Sequence, residues 1–267
     1  MLDFIVANTR DIMFAVTFGI MVLLLLVEQI KPRRPESASQ TSRWLNNIAL
    51  TLLNFFLMAY VTVAVSMSSW VINFQPDMPL LQHPALNVVT ATMITILTIE
   101  FVGYWFHRVM HRVPLLWRVH SVHHSDTEVD VTTTHRHHPI EPFISVVITL
   151  PVILLLGPPI IAVIIYNLLH IVVSSVTHSN IFIPKSVDRW LRYFIITPDF
   201  HRLHHVNQQH YTDSNYGAIS PWFDYLFGTA TNLPFKEQET VELGLKYFRK
   251  QVDSRVDHLL LSPFRWK

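Results

Sequence analysis

Sixteen of the 267 residues are histidine, and none is cysteine. Three stretches stand out: HRVMH at 107–111, HSVHH at 120–124 and HRLHH at 201–205. On a helix advancing about 100° per residue, positions i, i+3 and i+4 fall within roughly a 100° arc, so each stretch is expected to gather its imidazoles on one side. Eight imidazoles in three such groups exceed the four to six ligands, roughly, that one ion accepts, which makes two ions the economical reading. Imidazole suits iron, zinc, copper and nickel alike, so ligand type alone leaves the metal open. The absence of cysteine excludes disulfides, thiolate zinc sites, cysteine-held iron–sulfur clusters and a cysteine nucleophile.

Metal-bound imidazoles usually donate their second N–H to a carboxylate or carbonyl, so nearby acids gain a candidate role. Glu100 lies seven residues before His107 on the same helix face, inside an apolar run where a carboxylate is costly unless it is paired or functional. Asp126, Asp199 and Asp224 are further candidates to orient the rings. For Asp199 the alternative is a cap on the helix carrying the last group.

These side chains need elements to hold them. Half of the chain is hydrophobic and only 15% is charged, against about 25% in ordinary soluble domains. Ile12 to Ile30, Leu45 to Ile72 and Leu86 to Phe106 read as transmembrane spans. The first is followed at once by KPRRP, whereas a cleaved leader would carry its basic residues before the apolar stretch and small residues after it, so a retained span fits better. Lys31, Arg33, Arg34 and Arg43 after it place that loop, and with it the histidines, on the cytoplasmic side. Phe143 to Val176 is a longer apolar stretch split at Gly157-Pro158-Pro159. A single crossing there would put HSVHH and HRLHH on opposite sides, so the stretch is expected to be a helical hairpin, shallow or fully spanning.

The expected fold is thus an all-α, multi-pass integral membrane protein: about four transmembrane helices or hairpin segments beneath a cytoplasmic helical, histidine-rich, metal-binding cap. Its expected parts are N-terminal transmembrane helices over 1–94, a catalytic region with the membrane hairpin over 95–230, and an amphipathic cytoplasmic segment over 231–267. In the last part, Val241, Leu245, Phe248, Val252, Val256 and Leu259 recur at helical spacing and predict an amphipathic helix. Tyr104, Trp105 and Phe106 read as interfacial aromatics. A net charge of +1 asks for no nucleic acid.

HRVMH, HSVHH and HRLHH, in that order, resemble the three histidine boxes of the fatty acid hydroxylase superfamily, also called the sterol desaturase family. WRVHSVHHSD, RHHPIE, THSN, and NYG followed by WFDYLFGT support the likeness, which covers roughly residues 95 to 230. The resemblance implies a membrane di-iron enzyme that hydroxylates or desaturates lipids with O2 and external electrons. It implies two iron ions held by His107, His111, His120, His123, His124, His201, His204 and His205, with His178 as an additional ligand. His138 and His170 are further ligand candidates, the alternative for His138 being a loop residue fixed by Pro139. His135, His137 and His210 read as loop or supporting residues. The substrate would be a lipid drawn from the bilayer. Because the sequence carries no dinucleotide fingerprint, P-loop or haem-attachment motif, electrons would come from a separate reductase, ferredoxin or cytochrome.

Three rivals are weaker. A membrane zinc hydrolase would use His-Glu-x-x-His, which none of the boxes supplies. A non-enzymatic metal transporter or binder would set ionisable residues near the bilayer midplane, whereas these lie at helix ends. A bis-histidine haem protein needs paired histidines within the spans, where His170 stands alone.

Overall fold

The computed structural model describes residues 2–35, 40–66, 79–83 and 85–265. The end of the second expected span, 67–72, and residues 73–78 of the loop after it lie outside the described residues. Among the described residues there is no strand. The long helices are α1 (Thr9–Ile30), α2 (Gln40–Ser66), α3 (Val88–Arg112), α5 (Ile140–Leu156) and α6 (Ile160–His178). Between α3 and α5 lies α4 (Pro114–His124), and after α6 come the short helices α7 (Lys185–Leu191), α8 (Pro198–His204), α9 (Trp222–Leu226) and α10 (Val256–Leu261). α1, α2, α3 and α6 are long and apolar enough to cross a membrane, while α5 has 17 residues. Their outward faces are apolar: Val22, Leu26, Phe56, Val63, Val89, Phe101 and Leu155 are all exposed, as lipid-facing side chains are.

α6 is the central helix, packed against both α1 and α3. The break at Gly157 is a true reversal. Gly157 is left-handed, φ 57°, and a Cβ there would lie 2.1 Å from Pro79 Cβ, so only glycine fits. Pro79 belongs to the segment that leads into α3, so the tip of the hairpin reaches the end at which α3 begins. The other ends of α5 and α6 come back together: Glu141 in the first turn of α5 and His178 at the last residue of α6 both meet histidines of α4. The hairpin expected at Gly157-Pro158-Pro159 is therefore present and reaches the far side of the bundle.

Polar ties fasten the long helices to the cap. Glu28, wholly buried near the end of α1, accepts from the backbone N–H groups of Val131 and Asn180. Arg33 is buried against Asp199, and Arg43 is buried between Asp126 and Asp130. The basic residues after α1 thus act as structural pins as well as charges. Helix α3 stops where Val113 takes an extended conformation before Pro114, which opens α4. That corner turns α4 back so that its histidines face those of α3.

Residues 241–259 do not form the single amphipathic helix that their spacing predicts. Gly244 is left-handed, φ 82°, and the segment crosses the cap in extended form, with Leu243 bridged to Val206 and Gly244 N–H donating to His205 O. Leu243, Leu245 and Leu259 are still buried. The apolar residues mark contacts of a strap, with helix only in the turn Gln251–Ser254 and in α10. Tyr104 also departs from expectation: it is buried, bonded to Thr229 and stacked on Phe227, while Trp105 beside it is the exposed ring.

Candidate metal centre

The helix ends bring nine imidazoles into two adjoining groups. His107, His111, His120, His124 and His204 form the first, and His123, His178, His201 and His205 the second; within each group one nitrogen per ring lies within 4.8 Å of all the others. Rings of the two groups nearly touch, with His124 and His205 centroids 4.7 Å apart. HSVHH and HRLHH therefore do not each present one face to one place. In HSVHH the i and i+4 residues, His120 and His124, enter the first group, and the i+3 residue His123 the second. In HRLHH the i and i+4 residues, His201 and His205, enter the second group, and His204 the first. The cause is angular: on a helix i+4 lies about 40° to one side of i, and i+3 about 60° to the other. HRVMH, at i and i+4, completes the first group, and His178 completes the second.

The outward nitrogens decide which atom faces inward. His107 Nδ1 donates to Tyr216 O at 2.7 Å, and His204 Nδ1 to Ser214 O at 2.7 Å. His120 Nδ1 donates to Glu141 at 3.0 Å, and His178 Nδ1 to Ser174 O at 2.8 Å. Carbonyl and carboxylate oxygens only accept, so these four rings keep their proton on Nδ1 and turn a bare Nε2 inward. Yet the Nε2 atoms of His107 and His204 are 2.9 Å apart, and those of His107 and His120 are 3.0 Å apart. Lone pairs held that close repel unless a cation lies among them. His111 is fully buried with neither ring nitrogen hydrogen-bonded, although its Nδ1 side approaches the Asp213 carboxylate at 3.4 Å, so its Nε2 faces the group without a partner. Both observations fit a donor set for metal ions, one ion per group.

Burial first, and then neighbouring imidazoles, hold His123, His124, His201, His204 and His205 well below the ordinary histidine value. They are neutral at pH 7, the form that binds a metal.

The four expected orienting acids lie elsewhere. Asp126 is held by Arg43, Asn47 and Thr133, and Asp199 by Arg33 and Arg202; neither touches a histidine. Thr197, not Asp199, caps α8. Glu100 accepts from the N–H groups of Ile219 and Ser220, and Asp224 from those of Tyr216 and Gly217. These two acids thus shape the loop 214–220, whose carbonyls at Ser214 and Tyr216 anchor His204 and His107. They act through the loop, one step further out than expected.

The carboxylate that hydrogen-bonds a ring is Glu141, 3.0 Å from His120 and 2.9 Å from His137, and Asp213 lies 3.4 Å from His111. Glu141 lies in RHHPIE at the start of the apolar stretch, and the cost of a carboxylate beside apolar residues, the reasoning applied to Glu100, extends to it. The anchoring carbonyls of Ser174, Ser214 and Tyr216 leave no trace in residue type. His137 stacks on His123 at 4.4 Å. His138 stays outside both groups, its ring nitrogens engaged with Leu260 O and Ile140 N. His170, beside Tyr166 on α6, is also outside them.

An all-α membrane protein with two adjoining histidine groups at its helix ends is the class that fold and site define. The family model for fatty acid hydroxylases matches residues 92–229, about half of the chain, and the chain belongs to that family. Alkylglycerol monooxygenase of Xenopus tropicalis is 32% identical over 155 residues, 58% of this chain and 32% of that protein. Ornithine lipid hydroxylase of Rhizobium tropici is 29% identical over 225 residues, 79% of this chain and 65% of that protein. A very-long-chain aldehyde decarbonylase of Oryza sativa subsp. indica is 26% identical over 202 residues, 73% of this chain and 29% of that protein. The chain therefore spans about a third of the first and third relatives and just under two thirds of the second. No solved structure matches.

Proposed function

We propose that this chain is a membrane di-iron oxidoreductase that hydroxylates or desaturates an alkyl or sterol-type lipid, using O2 and electrons from a separate donor. The observation that carries the reading is the set of inward-facing, unprotonated imidazole nitrogens in two adjoining groups. Support for lipid oxidation comes from family membership and from relatives named for hydroxylation of ornithine lipid and monooxygenation of alkylglycerol.

In this reading His107, His111, His120, His124 and His204 hold one ion, and His123, His178, His201 and His205 the other. Oxidation of an unactivated C–H bond needs a metal that changes oxidation state, which iron supplies when bound and zinc does not. The remaining work belongs to the chain. Tyr216 O, Ser214 O, Ser174 O and Glu141 fix ring orientation and keep the Nδ1 protons on the outer side. Buried Arg136 and Arg202 and the strap over 241–245 help to seal the cap from water. The ends of α3, α5 and α6 bring the centre to the edge of the apolar bundle, so that a lipid chain reaches it from the bilayer. The histidine end is assigned to the cytoplasmic side because the basic loop after α1 is pinned to it. The three-part division at 94/95 and 230/231 is retained, with the first part clamped to the second.

Metal analysis of the purified full chain, joined to O2-dependent oxidation of a bilayer lipid extract with a chemical reductant, tests the reading. About two irons per chain and oxidised lipid are expected. Zinc alone, or an iron-loaded chain that consumes no O2 above a His123→Ala control, would overturn it.

A further inference from the structure

Away from the histidines, α7 and α9 border a surface groove of about 700 Å³. Lys185, Arg189 and Arg192 line one side, with Tyr193, Tyr225 and Asn232 around them. Arg192 is fixed by an ion pair to Asp188 at 2.7 Å and by donating to Asn232 at 2.6 Å. Lys185 and Arg189 are exposed and form no ion pair with a described residue. Since Asp188 offsets one cation, the groove carries about two uncompensated positive charges.

Its rim is apolar to a degree that a water-facing groove does not need. Tyr193 and Tyr225 line the groove and, beside them in the chain, Trp190 and Phe194 on one side and Trp222 and Leu226 on the other are all exposed, Leu226 by 70%. Trp222 Nε1 donates to Tyr193 O at 2.7 Å and ties the two sides together. The rim then runs on to α3: Phe101 meets Phe223 at 5.5 Å between centroids, and Trp105 meets Phe227 at 5.1 Å. Phe101 and Trp105 are exposed on a helix that crosses the membrane. Ring contacts therefore lead from the lipid-facing side of α3 to Phe223 and Phe227 at α9, the helix whose Tyr225 lines the groove. Amphipathic aromatic rings lie at headgroup depth, which sets Lys185 and Arg189 at the level of lipid phosphates.

We infer that this groove binds the phosphate-bearing headgroup of an anionic phospholipid, with the Trp190 and Trp222 rims seated in the bilayer interface. The inference is independent of the metal chemistry proposed above. An acidic soluble protein could answer the positive charge, but it would leave the apolar rim unexplained, whereas a headgroup with its acyl chains satisfies both.

The test uses the full-length chain in nanodiscs of phosphatidylcholine with a minor share of phosphatidylglycerol, released into mild detergent for native mass spectrometry. Wild type is expected to retain phosphatidylglycerol in preference to phosphatidylcholine. Lys185→Gln/Arg189→Gln should weaken that preference roughly tenfold or more, since each basic residue near an anionic surface contributes separately. The single variants should lie between, and Lys246→Gln/Lys250→Gln, exposed and outside the groove, should match wild type. Equal retention by the double variant and wild type, or no headgroup preference in wild type, would sink the proposal. So would a double variant that keeps the lipid but loses binding of an acidic ferredoxin, because the groove would then be a protein dock.

Discussion

The two histidine groups share two helices yet are built differently. Three of the five rings in the first group are anchored from outside, through Tyr216 O, Ser214 O and Glu141. In the second group only His178 is, through Ser174 O, while the Nδ1 atoms of His123, His201 and His205 have no hydrogen-bond partner. The first group has a donor to spare and rings held in place before a metal arrives. The second has four donors and less to hold them. Outer anchors raise ligand basicity and lower the cost of ordering, so the first group should bind its ion more tightly and release it later.

The largest test of that contrast is His178→Ala. With only three imidazoles left, the second group should lose its ion, halving iron per chain and lowering lipid oxidation by about 100-fold or more; unchanged iron would erase the distinction. Glu141→Gln comes next. Loss of the charged acceptor for His120 should weaken the first group's metal affinity about 10- to 100-fold and leave the second group's iron in place. Smaller still is His111→Ala, which leaves four donors in the first group: both irons should be retained, and activity should fall less than in His178→Ala. Timed exposure to a chelator should resolve two phases, and a single phase would make the groups equivalent. The mildest perturbation is acid. The folded chain holds His123, His124, His201, His204 and His205 neutral, whereas the unfolded chain takes up protons near pH 6.5. Metal-free protein in detergent should therefore lose thermal stability as pH falls below about 6.5, and stability should level off above it.

Much of the centre was legible because imidazole spacing on a helix is a local property. The reversal at Gly157 was legible for a different reason: two ligand sets could not meet without it. What escaped the sequence depends on distant partners. The division of HSVHH between two groups follows from which helices lie on either side of α4, and no count of residues within the box contains that. Asp126 and Asp199 looked like partners for neighbouring histidines, but Arg43 and Arg33 claim them from 83 and 166 residues earlier in the chain. The periodicity of Val241 to Leu259 was real as burial yet misleading as helix, because Gly244 is turned left-handed under the cap. Glu141 could have been found by the cost of its charge.

The Arg33–Asp199 contact bears on how much of the chain is needed to make a working centre. Arg33 lies well outside residues 92–229, the stretch that matches the family, yet it grips a carboxylate two positions before His201. Glu28, near the end of α1, reaches the backbone N–H of Asn180, two residues past His178. A polypeptide starting near residue 92 would keep the Asp199–Arg202 pair but lose the ties that Arg33 makes to Asp199, Glu239 and Phe235 O and that Glu28 makes to the N–H groups of Val131 and Asn180. The family segment is thus tied to the helix and loop before it by buried polar contacts. During synthesis, moreover, the keystone is laid first and waits more than a hundred residues for the arch it will hold.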